Sequence, residues 1–267
     1  MAVGAAYRRG LASGTSSLLQ YLLVMGGLGY LIWQGAQAMD YDWQWHRVPQ
    51  YFWRRTDAGF EWGELPVGLV ATLILSGLAF VLALALGLVV ALLRLSGLVT
   101  GRALAVVFLE LVRNTPLLVL IYLFYYVLGP IFDMDRTTAA VVCLGVFHGA
   151  LMSEIFRAGI NAVPAGQWEA ARSIGLTPFQ VHAYVVLPQT VRFLLPPMTG
   201  EAIHLVKSSA IVSVIAVAEL TTMGRNIISD TYMSFEIWFT IAAMYLVVTL
   251  ALSVLAHRLE RAYAVAD

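Results

Sequence analysis

The chain is 267 residues long, 60% hydrophobic and only 12% charged. That charged share is about half of what soluble domains carry, so a water-exposed surface of ordinary size cannot be covered and the chain reads as an integral membrane protein. Sixteen basic residues balance sixteen acidic ones, with Lys207 the single lysine, which excludes a nucleic-acid-binding role.

Leu18 to Ala38 is the first apolar run, long enough for the ~20 helical residues a hydrocarbon core requires, and is expected as a first span. A secretory leader is the rival, because Arg8 and Arg9 precede the run and Ala36-Gln37-Ala38 resembles a cleavage site, but the run exceeds the ~7–15 residues of a leader core. Met39 to Glu64 turns acidic, arginine-bearing and aromatic, with Tyr41, Trp43, Trp45, Tyr51, Phe52, Trp53, Phe60 and Trp62. Such rings prefer the membrane–water interface, so a loop along the outer surface is expected, with one short amphipathic helix near Val48 to Arg55. Docking of a substrate-carrying protein is the other use of such a loop.

Leu65 to Leu93 is the second span, ended by Arg94, and the third runs from about Ala103 to Gly129. The third carries Glu110, Arg113 and Asn114 and is interrupted by Pro116, which removes a backbone donor. Glu110 precedes Arg113 by one turn, the favourable order for an intrahelical pair. Such charges line a protein interior, or neutralise each other near the cytoplasmic headgroups. A fourth span, Thr137 to about Ala162, repeats the device with Glu154 and Arg157 among small residues that favour close helix packing. Within it Cys143, the one cysteine, is expected as a small buried hydrophobe with no disulfide partner.

Ala165 to Pro188 is the longest charge-bearing amphipathic passage between two runs too apolar for water. Glu169, Ala170, Ala171 and Arg172 are good helix formers, Gly175 can end a short helix at positive φ, and Thr177 can cap a second helix with Pro178 at its first position. The pattern predicts a helix-turn-helix outside the bilayer. Two readings stay open, a docking element whose Glu169 and Arg172 meet a partner's charges and an amphipathic connector.

Pro196 and Pro197 are expected to halt the chain before a fifth span, Met198 to Glu219. There Glu201, His204, Lys207 and Ser208 recur at three- and four-residue spacing on one helical face. Together with Glu154 and Asn114 they form a candidate substrate pathway, unless Glu201 and His204 are simply hydrated near the cytoplasm. A lysine in low dielectric needs an anion, and Glu201 lies on a different side of the cylinder; Glu154 is the expected partner, with a substrate carboxylate as its competitor. Leu220 to Phe235 reads as a loop, and the last span is about Glu236 to Ala256. An inside amino terminus puts Arg8, Arg9, Arg94, Arg102, Arg172, Arg192, Arg258 and Arg261 at cytoplasmic ends of about six spans, and the amphipathic passage in the cytoplasm.

The pattern Glu169-Ala170-Ala171, Gly175, Leu187-Pro188 resembles the signature loop of ABC importer permeases, and the stretches Ser153 to Ala171 and Glu110 to Gly129 are similar to the polar amino-acid branch of that family. The resemblance covers roughly Leu65 to Glu260. It implies an all-α membrane protein with a five-helix type I permease core and one extra N-terminal helix. Residues 1–64 would form the N-terminal helix and periplasmic loop, and 65–260 the permease domain with its coupling loop at 163–190. It further implies ATPase coupling through Glu169, Ala170, Ala171, Arg172, Gly175, Leu187 and Pro188 in a bacterial inner membrane. The implied partners are two ATP-binding subunits, a second permease subunit and a periplasmic amino-acid-binding protein. Pro196 to Ile215 is most similar to glutamate/aspartate permeases, which points to an acidic or amide amino acid. No G-x-x-x-x-G-K-[ST] loop occurs, so ATP-Mg is expected on the partner, with no cofactor, metal or catalytic residue on this chain. An ion-driven secondary carrier is the alternative, and a membrane enzyme a third reading that lacks a nucleophile–base or metal-ligand set.

Overall fold

A computed structural model describes residues 2–39, 41–56 and 59–263, with side chains described for 17–39, 41–55 and 59–262; Arg8 and Arg9, expected at the inner face, lie outside that second set. The chain divides into two compact units, 1–45 and 46–267. The first is essentially one helix, α1 (Ala2–Ala38), with Leu18, Leu22, Leu31 and Ile32 exposed. Close behind it, the Trp43 and Trp45 rings stack at 6.2 Å.

A 3₁₀ turn, Trp45–Tyr51, leads into the second unit, followed by an antiparallel hairpin of β1 (Trp53–Thr56) and β2 (Gly59–Trp62). The short amphipathic helix expected near Val48 to Arg55 is met in its first half by this 3₁₀ helix, with Val48 buried, and gives way to a strand from Trp53. Pro49 withholds a donor, and Trp53 and Thr56 favour extended backbone. Val48, with Tyr51 and Phe52 beside it, packs on Leu65, Leu220 and Ile237, so the aromatic segment beyond His46 is anchored in the permease-like unit, not apart from it.

Packing of α2 (Glu64–Leu95) on α6 (Arg136–Asn161) forms the centre of this unit. A Cβ on Gly87 would lie 2.6 Å from the Met152 Cβ and 2.9 Å from the Gly149 carbonyl oxygen, so only glycine lets these backbones approach. Asp135 caps α6 by accepting from Thr138 and Thr137 backbone N–H groups at 3.1 and 3.2 Å, and hydrogen bonds from Thr138, then Thr137, hold its carboxyl below the ordinary aspartate value.

The expected third span, Ala103 to Gly129, is not one helix. Helix α3 (Val99–Arg113) is followed, after a break, by α4 (Leu117–Tyr122), a π-helical stretch (Leu123–Leu128) and α5 (Gly129–Phe132), and the two halves are bent by 103°. Pro116 lacks the N–H and disfavours helix at Thr115. Asn114 ends α3, its Nδ2 donating to the Glu110 carbonyl at 2.8 Å. Buried Gly101, Ala105, Leu109 and Val112 mark one stripe of α3.

After α7 (Ala165–Ser173) and α8 (Pro178–Gln180), a π-helical stretch (Val181–Val186) runs into α9 (Leu187–Ser208). Pro196 and Pro197 lie inside α9 and do not halt the chain, because their fixed φ suits a helix even where donors are lost. The expected fifth span ends early: a 3₁₀ segment (Ser209–Ile215) closes α9, and the region read as a loop from Leu220 holds helix α10 (Leu220–Thr231). Its threonines and Arg225 disguise it, but Leu220, Gly224 and Ile227 form an inward face. Helix α11 (Ser234–Tyr263) extends the last span at both ends. Among the described residues α2, α6 and α11 are long and apolar enough to cross a membrane unbroken, and counting each bent pair as one crossing gives up to five.

Fully buried Glu219 is the junction of this region. It caps α10 by accepting from the Thr221 and Thr222 N–H groups at 2.8 Å each, and also accepts from the Tyr245 hydroxyl of α11 at 3.1 Å. Thr72 of α2 in turn accepts from the Leu220 N–H at 3.1 Å. Glu219→Ala removes the cap and leaves the Thr221, Thr222 and Tyr245 donors without this acceptor, so it should lower stability by about 1–3 kcal/mol. Thermal unfolding in detergent checks this, and an unchanged midpoint would refute the capping role.

Candidate functional site

Three constellations bear on function. The first is the extramembrane helix-turn-helix. Gly175 takes φ +83° after α7, its N–H donating to the Arg172 carbonyl at 3.0 Å, and the Leu176 N–H returns to the Ala171 carbonyl at 3.3 Å. Thr177 then forms a capping box with Gln180, and Pro178 takes the first helical position. The local structure follows the expected pattern residue by residue. Ala171, however, is 3% exposed and packs against Ile160, Val163, Val181 and Val186, with Trp168 beside them. It belongs to the interior of the loop and not to its outer surface. Glu169, Ala170 and Arg172 face outward, and neither charge has an ion-pair partner among the described residues. Ile174 and Phe179, 76% and 78% exposed on either side of the Gly175 turn, were missed by the sequence reading. Two large apolar residues flanking a glycine in a polar segment were the available signal. Leu187 and Pro188 lie exposed at the start of α9.

The second constellation closes the end of the bundle from which this loop departs. Glu154 accepts from Arg94 at the end of α2, from Arg113 at the end of α3 at 3.1 Å, and from Arg157 Nη2 and Nε on its own helix at 2.8 and 3.0 Å. The Glu154–Arg157 pair is thus present, but the expected Glu110–Arg113 pair is not: Glu110 accepts from Asn114 Nδ2 at 2.8 Å. With α3 packed on α2 and α6, Arg113 reaches the neighbouring helix, and Asn114 caps its own. Glu154 is likewise not the partner of Lys207, since three guanidinium groups already occupy its oxygens.

The third lies between α6 and α9. His148 is fully buried, and its Nδ1 lies 2.6 Å from Glu201 Oε1, within hydrogen-bond range. His204 Nδ1 lies 3.6 Å from Glu201 Oε2, and the two imidazole rings are 5.4 Å apart. The sequence reading found Glu201 and His204 but missed His148, which stands in an apolar run with no polar neighbour at helical spacing. An imidazole inside a span requires a partner, and that requirement was its only signal. The ligating atoms of His148, Glu201 and His204 fall within 4.8 Å of one another, the spacing a divalent cation would use, but the His148 hydrogen bond already accounts for the position of the carboxylate. Lys207 is exposed one turn beyond His204, with no carboxylate in ion-pair range among the described residues, and Ser208 is half-buried next to it.

A family model described as "binding-protein-dependent transport system inner membrane component" matches residues 83–265. The chain belongs to that family. It is 35% identical over 206 residues to the glutamine transport system permease protein GlnP of Escherichia coli (strain K12), covering 75% of this chain and 94% of that protein. It is 34% identical to the probable glutamine ABC transporter permease protein GlnM of Bacillus subtilis (strain 168), covering 73% and 93%, and 35% identical to that organism's L-cystine transport system permease protein TcyB, covering 75% and 86%. Among solved structures, an amino acid ABC transporter crystallised with histidines superposes with TM-score 0.70 at 41% identity, covering 74% of this chain and 93% of that one. The MetNI methionine ABC transporter, with TM-score 0.65 at 20% identity, shares the fold. This permease is accordingly an inner-membrane transport component and not an enzyme, and the ion-driven carrier reading is set aside. Membership of the family implies ATP-binding subunits and a binding protein as partners.

The opposite burial of adjacent alanines is open to test. Ala171→Trp should overpack the Ile160–Val186 cluster at a cost of about 1–3 kcal/mol and open the loop to protease, whereas Ala170→Trp should leave cleavage unchanged. Limited proteolysis of the purified protein distinguishes them; equal cleavage of both variants would contradict the inward placement of Ala171.

Proposed function

We propose that this permease carries a polar L-amino acid inward across the bacterial inner membrane, driven by ATP hydrolysis on a separate subunit. The observation that carries the reading is the helix-turn-helix after α6, whose ordered inner face leaves Glu169, Ala170, Arg172, Ile174 and Phe179 exposed, with no ion-pair partner for either charge among the described residues. Two apolar side chains about a tight turn suit a cleft, and the two unpaired charges suit complementary charges at its rim. The occupant is the ATP-binding subunit, which holds ATP-Mg, while this chain binds no cofactor. The assembly contains two such subunits and a second permease, identical or homologous, together with a periplasmic amino-acid-binding protein. Residues 65–260 form the transporting domain and 163–190 its coupling loop.

Glu201, His204, Lys207 and Ser208 line the pathway from α9, and His148 fixes the Glu201 carboxylate. Lys207 is the group for a substrate carboxylate, since no internal anion pairs with it among the described residues. Relatives named for glutamine and cystine support an amino-acid substrate, and the Pro196 to Ile215 passage favours an acidic or amide one. Asn114 and Glu154 serve the α3 cap and the arginine cluster, which support the pathway from outside it.

Mass measurement of the detergent-extracted complex should give two permeases and two ATPases; a single chain transporting alone in liposomes would exclude the arrangement. Within the complex Glu169→Lys should abolish substrate-stimulated ATP hydrolysis without loss of membrane insertion. Lys207→Met removes a charge-assisted contact of about 1.5–3 kcal/mol, so uptake of labelled glutamate or glutamine should fall about tenfold or more. Uptake at the parental rate would make the lysine structural, and strong arginine uptake without glutamate or glutamine would overturn the substrate class.

A further inference from the structure

The cross-strand register of the hairpin sorts its residues onto two unlike faces. Trp53 stands opposite Trp62 and Arg55 opposite Phe60, while the alternate pairs are Arg54 with Glu61 and Thr56 with Gly59. Directly opposed residues share a face, and successive residues alternate between faces. One face therefore holds Trp53, Phe60 and Trp62 with a single cation, Arg55, and the other holds Arg54 and Glu61. Arg54 also pairs with Glu64, so the second face is a solvated charge pattern. On the first face the three rings are 53%, 62% and 66% exposed, and Phe60 and Trp62 meet edge-on at 5.3 Å.

Two further observations say what covers that face. A lone two-stranded hairpin is marginal in water unless one face lies on something apolar, yet among the described residues all three rings stay more than half exposed, even with the Phe52 ring 6.1 Å from that of Trp53. The hairpin also enters α2 directly, with the Gly63 N–H donating to the Phe52 carbonyl at 2.9 Å. Outward apolar residues begin at Val67 and continue through Val70, Ile74, Leu78 and Val81. Hydrocarbon contact on α2 thus starts within about one turn of the hairpin, which sets the hairpin at headgroup depth. Indole and phenyl rings accompanied by one guanidinium match that layer, with the rings at the acyl boundary and Arg55 at a phosphate.

We propose that the β1–β2 hairpin is a membrane-interface anchor whose Trp53–Arg55–Phe60–Trp62 face lies on phospholipid headgroups, fixing the depth at which α2 enters the bilayer.

Cys143, the single native thiol, is fully buried and stays unlabelled, so cysteines introduced as Phe60→Cys, Trp62→Cys and Glu61→Cys can each carry one environment-sensitive fluorophore. Each variant is reconstituted as the full complex in phosphatidylcholine–phosphatidylglycerol vesicles whose acyl chains are brominated near the headgroup. Positions 60 and 62 should be quenched several-fold more strongly than 61, with blue-shifted emission. The 60 and 62 labels read the face independently, so distortion at one leaves the other to decide. Weak and equal quenching on both faces would overturn the proposal. So would labels at 60 and 62 that stay aqueous in vesicles and become shielded only when the purified binding protein is added, which would assign the face to a protein partner.

Discussion

One carboxylate ties together the end of the bundle from which the helix-turn-helix departs. Glu154 draws Arg94, Arg113 and Arg157 to its two oxygens, so the ends of α2 and α3 are fastened to α6 about two turns before that helix ends at Asn161. The side chains are 24% to 48% exposed, between the surface pair worth ~0–1 kcal/mol and the buried pair whose disruption costs ~3–5 kcal/mol. Three cations around one anion leave an excess of positive charge, which suits the cytoplasmic end of a bundle and its headgroups. Any tilt of α6 that carries the loop must therefore carry α2 and α3 with it, and this is how a push at the loop would be felt across the bundle.

The breaks in the helices obey the rule that a bilayer tolerates no unsatisfied backbone. The chain leaves helical geometry at Asn114–Pro116 and again at Ala216–Glu219, and at each place side chains take over the hydrogen bonds. Asn114 closes α3; Glu219 supplies acceptors for α10, with Tyr245 and Thr72 tying it to α11 and α2. Such irregular backbone persists at depth only where protein surrounds it. Both breaks lie in segments that pack on α2 or α6, so the two central helices act as the wall against which the bent segments are held.

Where the sequence announced the fold, it did so through strong local signals. Apolar runs set α2, α6 and α11, and the Gly175, Thr177 and Pro178 sequence set the loop, because a left-handed turn, a cap and a first-position proline are all decided within a few residues. What escaped depended on neighbours. The Pro196-Pro197 pair looked like a stop but sits within α9, since proline forbids hydrogen bonds and not helical φ. Helix α10 looked like a loop because its polar residues are visible in sequence and its packing against Leu65 and Ile237 is not. Charge pairing was the least legible: Glu-x-x-Arg at one turn is realised at Glu154–Arg157 and lost at Glu110–Arg113, because a bend three residues downstream aims Arg113 at another helix.

The paired alanines of the loop show how a short motif can serve two masters. Ala170 and Ala171 are adjacent, so on a helix they point about 100° apart, and one must face inward when the other faces out. Ala171 closes on Ile160, Val163 and Val181, where a larger side chain would overpack the cluster; Ala170 is exposed beside Glu169. The need for a small residue is thus steric at Ala171, where the opposing wall is this chain's own core; at Ala170 the wall would be another subunit only on the proposed docking. A loop assembled in this way is ordered on its own core. On the proposed docking, little ordering entropy would remain to be lost, and a displacement of the partner's surface would be passed to α6 and α9 instead of being absorbed in the loop.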